Sequence, residues 1–459
     1  MDIPVNGDTL HRLMKQALDS GIVESVEAAK RLFEGYRLSV SIDPADADSP
    51  EHQTALLTVV ALASRVFLGG VNVSGASDAP LLIGQVGNKS LADEIIQYGG
   101  AIASGLGEDP IIYIGGSARP RCDGFALRTH AAGWRGGITP AHSDIETAGK
   151  APIATAATLS AALAVAEAYF HVSKALPSAG RRTLGLSLWN PNPDIDWRAD
   201  DPSEPTLTYL PNRLWLIGLG HLGQAYLWNL GLLPYADPSA LSLVLQDIDD
   251  VTTSTHSTSV LTAPSMVGHK KTRVIADWAE NRGYSVSLME RYFADDFTRQ
   301  PMEPAIALCG LDNALGRRAL DKVGFDLVVE AGLGRGHQDF QKIRLHVLPG
   351  TRKAENIWPA ADHPNALAIP NAYQKLVKTG SLDQCGATLL AGKAVGAPFV
   401  GMVASCLAVS EILRILHGGR SCQLADLDLL SLDHRHVVQM AGNNGLAQIN
   451  PGFTEALVS

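Results

Sequence analysis

A short apolar run at residues 214–217 (LWLI) leads at once into Gly218-x-Gly220-x-x-Gly223, and an apolar-periodic segment follows at 224–233. A strand delivered into a glycine-rich turn that opens a helix commits a chain to an α/β fold with a parallel sheet. Glycine lets backbone approach a phosphate closely, and a helix N-terminus offers unpaired N–H groups. Further strand candidates agree: 241–245 ends at Asp247, 305–308 runs into Cys309-Gly310-Leu311-Asp312, and 327–330 runs into AGLG. Strands with polar residues at their carboxyl ends, alternating with helical segments, predict a doubly wound sheet with its site along that edge. Asp247, 24 residues after Gly223, suits an acceptor for a ribose hydroxyl. Taken alone, these pieces serve NAD, FAD and ATP equally.

The residues beyond Gln246 separate the cofactors. Gln246-Asp247-Ile248-Asp249-Asp250-Val251 leads into TTSTHSTS at 252–259, where seven of eight residues carry a hydroxyl. Then come Val267-Gly268-His269-Lys270-Lys271 and, later, Asp312-Asn313-x-x-x-Arg317. Hydride transfer has no use for that lysine and that acid. Adenylation does: a carboxylate attacks the α-phosphate, and a cation and Mg²⁺ must neutralise the departing pyrophosphate.

Strand–GxGxxG, then L-x-D-x-D, V-G-x-x-K and D-N-x-x-x-R, in that order over about 213–433, resembles the ubiquitin-activating enzymes and their sulfur-carrier relatives, the ThiF-type adenylyltransferases. The resemblance implies that ATP and Mg²⁺ are the cofactors. It makes Gly218, Gly220 and Gly223 the nucleotide loop, Asp247 the ribose ligand, Lys271 the phosphate-facing cation and Asp312 the Mg²⁺ acid. Asp249, Thr258 and Asn313 complete the nucleotide contacts. The family's S-N-L-x-R-Q segment is missing: its phosphate-binding Asn and Arg fall at Thr255 and Thr258. Part of the cationic clamp must therefore come from elsewhere, with Arg31 and Arg37 among the candidates in the first half. Cys385, in DQCGATLLAGKAVGAPFVG, resembles the family's crossover-loop cysteine, which captures the acyl group as a thioester. That chemistry needs a thiolate on a flexible, partly exposed segment. Cys309 is a rival that reads as core, Cys406 sits mid-helix among apolar residues, and Cys122 and Cys422 have no supporting context.

The two halves look related. Residues 151–172 and 397–416 are Ala-rich helix candidates that share L-A-V-[AS]-E, and Ser187 and Ser431 each lie 20 residues beyond the glutamate, in apparent strands. The first half keeps strand-like stretches at 80–87 and 110–120 but lacks D-x-D, V-G-x-x-K and D-N-x-x-x-R. The expected fold is α/β, with two Rossmann-like adenylation domains, one inactive and one active, forming a pseudo-dimer of mainly parallel doubly wound sheets. Residues 190–211 carry five prolines and a cluster of acids, which is linker composition. The expected division is an inactive domain at 1–195, a linker at 196–211 and an active domain at 212–459.

A net charge of −10 without basic runs argues against nucleic-acid or anionic-membrane binding. The first 20 residues lack an apolar core, so no signal peptide is read there, and five scattered cysteines fit a cytoplasmic chain with free thiols. The expected function is activation of the C-terminal glycine carboxylate of a ubiquitin-like protein, with thioester formation on Cys385 and transfer to a conjugating enzyme. The overall pattern looks most like the activating enzymes of bacterial ubiquitin-like conjugation operons linked to anti-phage defence. The alternatives are a sulfur-carrier adenylyltransferase and an NAD(P)-binding oxidoreductase. Oligomeric state is not legible.

Overall fold

The computed structural model describes residues 5–76, 79–84, 89–120, 124–145, 147, 149–359, 369–440 and 452–457. The chain enters through α1 (Met14–Asp19) and α2 (Val26–Glu34), followed by β1 (Leu38–Ile42), α3 (Pro44–Ala47) and α4 (Pro50–Ala63). Next come β2 (Val71–Ser74), α5 (Leu91–Gln97), β3 (Ala101–Ile102) and β4 (Ile111–Ile114). The first half closes with β5 (Ala126–Ala132), β6 (Arg135–Pro140), α6 (Ala154–Val172) and β7 (Leu184–Ser187). The second half begins with β8 (Tyr209–Pro211), β9 (Arg213–Ile217), α7 (His221–Leu232), β10 (Ser242–Gln246) and α8 (Thr253–His256). It continues through α9 (Lys271–Glu280), β11 (Ser285–Met289), β12 (Ile306–Cys309), α10 (Ala314–Arg318), β13 (Leu327–Leu333) and β14 (Lys342–Leu348). The last elements are α11 (Ala354–Ile357), α12 (Asn371–Lys378), α13 (Gln384–Gly392), α14 (Pro398–Leu416), β15 (Cys422–Asp428), β16 (His436–Gln439) and β17 (Phe453–Glu455).

One sheet runs β3-β2-β1-β4-β5-β6-β7 and the other β11-β10-β9-β12-β13-β14-β15-β16. In each, the first five strands are parallel and the remainder antiparallel. The two halves therefore repeat one topology, with β1 corresponding to β9 and α6 to α14. The parallel strands β4 (IIYI) and β12 (IALC) are buried along their whole length, as strands covered on both faces must be.

The halves pair through helices, as a pseudo-dimer. Both α6 and α14 have 19 residues, and their alanines allow a close crossing in which Ser410 Oγ lies 2.9 Å from Thr155 Oγ1. Nearby, Trp228 Nε1 on α7 donates to Thr58 Oγ1 on α4 at 3.0 Å. α14 is long and apolar enough to cross a membrane, but 89% of its most apolar window is buried; it is a core helix here. The paired glutamates do equivalent work. Glu167 accepts from Gly180 N at 3.0 Å and from Arg182, while Glu411 accepts from Cys422 N at 2.9 Å and pairs with Arg414. Each ties its helix to the loop that leads into the next strand.

Three sequence expectations need correcting. Ser187 ends β7, but Ser431 lies past the end of β15, so the equal spacing of 20 does not mark equivalent positions. Residues 81–84 form no strand. Pro80 makes one isolated bridge to Ser90, and Leu81 and Ile83 instead pack beside Leu57 and Trp228 at the seam between halves; the rest of the 80–87 run lies outside the described residues. The proline-rich stretch is not a free tether either. The Trp197 ring lies over Gly137 and Gly185, and buried Glu204 pairs with buried Arg135 at 3.1 Å. A composition that reads as linker is here fixed by two anchoring side chains.

Candidate functional site

The glycine turn after β9 is held by close packing. Gly218 has φ +83°, and an added Cβ there would meet the Gly310 carbonyl oxygen at 3.1 Å. At Gly223 the added Cβ would lie 2.0 Å from the Gly218 carbonyl oxygen. Gly220, the N-cap of α7, differs: nothing lies within 4 Å of its added Cβ. Two glycines thus bring turn, helix and β12 together, and the third faces open space.

That space is a cleft of about 730 Å³ at the carboxyl edge of β9, β10, β12 and β13, lined among others by Gly218, Gly220, Asp247, Asp249, Thr258, Lys271, Asp312 and Asn313. The structure brings these sequence-predicted residues together. Asp247 Oδ2 accepts from Leu219 N at 2.7 Å and Oδ1 from Asp249 N at 2.8 Å, so this carboxylate ties the end of β10 to the glycine turn. Lys271 opens α9 and is largely buried. Its ammonium lies 2.8 Å from Asp249 Oδ2 and 3.7 Å from Asp247 Oδ2. Asn313 caps α10, its Oδ1 accepting from Gly316 N at 2.7 Å, which leaves its amide nitrogen for the cleft. Arg317 reaches back to the Leu311 carbonyl at 2.5 Å and pairs with buried Glu330 at 2.8 Å.

The Ser/Thr segment folds as a short capped turn. Thr252 and Thr255 form a reciprocal capping box at the start of α8. Thr255, Thr258 and Ser259 line the cleft, and Ser259 Oγ is buried without a hydrogen-bond partner among the described residues.

Arg31 and Arg37 do not line the cleft; Arg12 does. Its backbone N–H donates to Ser257 Oγ at 3.0 Å and its carbonyl accepts from Gly396 N at 3.3 Å. Burial lowers the pKa of its guanidinium, while Asp8 and Asp312 act in the opposite direction and Arg335 adds to the lowering. Sequence reasoning missed Arg12 because the contact with Ser257 spans 245 residues and no motif surrounds it. His221, a variable position of the glycine motif, was missed too. It lines the cleft, is half-buried with Nε2 3.5 Å from the Pro398 carbonyl, and desolvation lowers its pKa to about 4, so it is neutral at pH 7.

Cys385 is placed differently from expectation. It lies in the first turn of α13, with Asp383 as N-cap, and not on a loop. It is exposed, but the cleft is lined by the residues after the helix, Lys393 to Gly396. Cys385 and Gly392 are seven positions apart in α13, about 10 Å along the axis. The Cys309 thiol is buried, and desolvation together with Glu330 pushes its pKa up to about 12. Cys406 is buried, its thiol likewise shifted upward by desolvation. Cys422 is buried against Arg414 at 3.3 Å, and Cys122 lies outside the described residues.

Comparison with known proteins covers both halves. Residues 37–188 match the BilD N-terminal domain and residues 210–419 the BilD C-terminal domain. The bacterial E1-like protein BilD of Collimonas sp. (strain OK412) is 42% identical over 425 residues, spanning 92% of this chain and 91% of that protein. Among solved structures, E. coli MccB matches at 13% identity and TM-score 0.33, over 50% of this chain and 63% of that one. PaaA matches at 14% identity and TM-score 0.33, over 50% of this chain and 72% of that one. The chain thus spans less than two thirds of the length of MccB.

Proposed function

We propose that the cleft adenylates a carboxylate with ATP, a reading that starts from the fact that the chain belongs to the BilD family of bacterial E1-like proteins. The observation that carries it is the meeting of Lys271, Asp312 and Arg12 around the open side of Gly220. A nicotinamide dinucleotide also carries phosphates that cations can hold. What favours ATP is the acid set among them, Asp312, because a departing pyrophosphate calls for a metal-holding carboxylate and hydride transfer does not.

ATP lies with its phosphates over the Gly218–Gly220 turn and the N-terminus of α7, and with its ribose against Asp247 and Asp249. Lys271, Arg12 and the Thr255–Thr258 hydroxyls face the phosphates. A carboxylate oxygen of the substrate attacks the α-phosphorus. The bond from that phosphorus to the bridging oxygen breaks, and pyrophosphate leaves with its electron pair. Cations held at the cleft stabilise that charge as it develops, and electrostatic stabilisation of this kind is usually the largest single contribution to the rate. Mg²⁺ takes one or two carboxylates and otherwise water and phosphate oxygens, a demand that an acid on the cleft lining, Asp312, can meet. Asp312 would hold it, and when bound it would neutralise phosphate charge.

The substrate is the C-terminal glycine carboxylate of a ubiquitin-like protein. The acyl-adenylate then passes to the Cys385 thiolate, which displaces AMP and forms a thioester for a conjugating enzyme, in the cytoplasm and in anti-phage defence. Residues 1–195 form the non-adenylating domain, 196–211 the connection and 212–459 the adenylating domain. Because Cys385 stands outside the cleft, transfer requires α13 to shift or the adenylated tail to extend. The same placement favours a second reading, a sulfur-carrier adenylyltransferase in which the adenylate itself is the product. Intact-mass analysis after incubation with ATP and candidate ubiquitin-like proteins separates the two. The first gives a reductant-sensitive adduct on wild type that Cys385→Ala lacks; an adduct that persists in that variant assigns it to another residue.

A further inference from the structure

Arg65 comes just after α4 in the first half, yet most of its donors are spent on the second. Nε donates to the carbonyls of His256 and Ser259, both at 3.1 Å, and Nη2 to those of Val260 at 3.1 Å and Thr262 at 3.0 Å. Nη1 turns back to the Ala61 carbonyl at 2.6 Å and to Ser64 Oγ at 3.3 Å. The guanidinium is buried, and desolvation lowers its pKa to about 10. A buried cation without a carboxylate is an expensive way to join two domains. A planar fork with five donors, however, can grip several carbonyls of one turn at once, which a lysine cannot.

The gripped turn is the one whose other side faces the cleft. Thr255, Thr258 and Ser259 line it, and the Ser259 hydroxyl is buried without a partner among the described residues. Arg65 also borders the N-terminal segment that packs on this turn: its backbone carbonyl faces the ring of His11, and Arg12 N of that segment donates to Ser257 Oγ at 3.0 Å. The other side of that ring, Nδ1, accepts from Leu13 N at 3.3 Å and Met14 N at 3.4 Å. Arg12 stands between His11 and Leu13 in the chain and lines the same cleft.

We propose that Arg65 is a positioning residue through which the first half sets both the hydroxyl-bearing turn and Arg12 against the phosphates of a nucleotide. The inference rests on the adenylation reading for the identity of the ligand, and on geometry alone for the coupling of the two adjoining segments. It gives the non-adenylating half a task in the reaction beyond supplying buried surface.

The test uses the full chain carrying Arg65→Lys, Thr258→Val or both, with ATP as the probe. Expected for Arg65→Lys are an unfolding midpoint close to wild type and a KM for ATP raised about tenfold or more, with kcat changed less. Thr258→Val should weaken ATP binding in wild type and have no further effect once Arg65 is lysine, the mark of two residues acting as one unit. An unchanged KM, or strictly additive effects, would overturn the proposal. Should Arg65→Lys not fold, hydrogen exchange on wild type decides: ATP must slow residues 8–14 and 253–262 together, and protection of only one segment refutes the coupling. If wild type binds no ATP, the adenylation reading fails on its own. Arg65→Lys must then still speed exchange in both segments, and a response in one alone sinks the positioning role separately.

Discussion

The Lys271 ammonium lies 2.8 Å from the Asp249 carboxylate and 3.7 Å from that of Asp247. A phosphate entering the cleft must therefore take the lysine from Asp249, whose side chain is 63% exposed and rehydrates readily when released. The exchange of partners is cheap, and Lys271 is free to follow charge as it develops. Lys271→Ala should lower ATP–pyrophosphate exchange by about 100- to 1,000-fold, the usual loss when a preorganised donor to transition-state charge is removed. The unfolding midpoint should stay within a few degrees, because Asp249 is exposed and Asp247, though nearly buried, keeps its hydrogen bonds from Leu219 N and Asp249 N. Asp312→Ala should behave alike.

Arg12 and the two arginines named from sequence give a clean contrast. Arg12 lines the cleft, whereas Arg31 and Arg37 do not. Arg12→Ala should cut exchange by about 100-fold, the loss of a cation facing the leaving group. Arg31→Ala and Arg37→Ala should leave the rate within twofold of wild type. Steady-state exchange at saturating ATP reads all three variants.

The glycines of the turn divide by role. Gly223→Ala places a methyl 2.0 Å from the Gly218 carbonyl oxygen, so it should cost about 1–3 kcal/mol of stability through overpacking. Gly220→Ala has free space around it and should unfold like wild type. Its methyl would occupy the phosphate-facing side, however, so ATP affinity should fall. Denaturant unfolding and a nucleotide titration on both variants check the pair.

Legibility tracked sequence distance. Gly218, Asp247, Lys271 and Asp312 could be placed because each sits at the carboxyl end of a strand or the start of the next helix, where local pattern fixes position. The duplicated topology showed in the paired Ala-rich helices, although the Ser187–Ser431 spacing that supported it does not mark matching residues. Arg12 and Arg65 stayed hidden because their partners lie 191 to 245 residues away and each contact is to backbone or a small hydroxyl, which leaves no motif. The sequence places Cys385 on a loop, but the segment is helical: Asp383 caps a stretch that composition alone reads as flexible.

Acid should weaken the fold through half-buried histidines that desolvation holds in the neutral form. Desolvation lowers His11 and His221 to about 4 from the ordinary 6.5. Between those values the unfolded chain binds more protons than the folded one, so stability rises with pH. This contribution is fully present above about pH 6.5 and is lost as pH falls toward 4, at up to about 1.4 kcal/mol per pH unit for each histidine. Chemical denaturation at pH 7.5, 6.0 and 5.0 should show the decline, and His11→Asn should reduce its slope by one proton's worth.

The most direct test of an adenylating cleft is ATP–pyrophosphate exchange by the purified wild-type chain, with and without a ubiquitin-like protein ending in glycine. Exchange that appears only with that partner, and disappears when its terminal carboxylate is amidated, is the expected result. Tight binding of NAD(P)H by a chain that neither binds ATP nor exchanges pyrophosphate would contradict it.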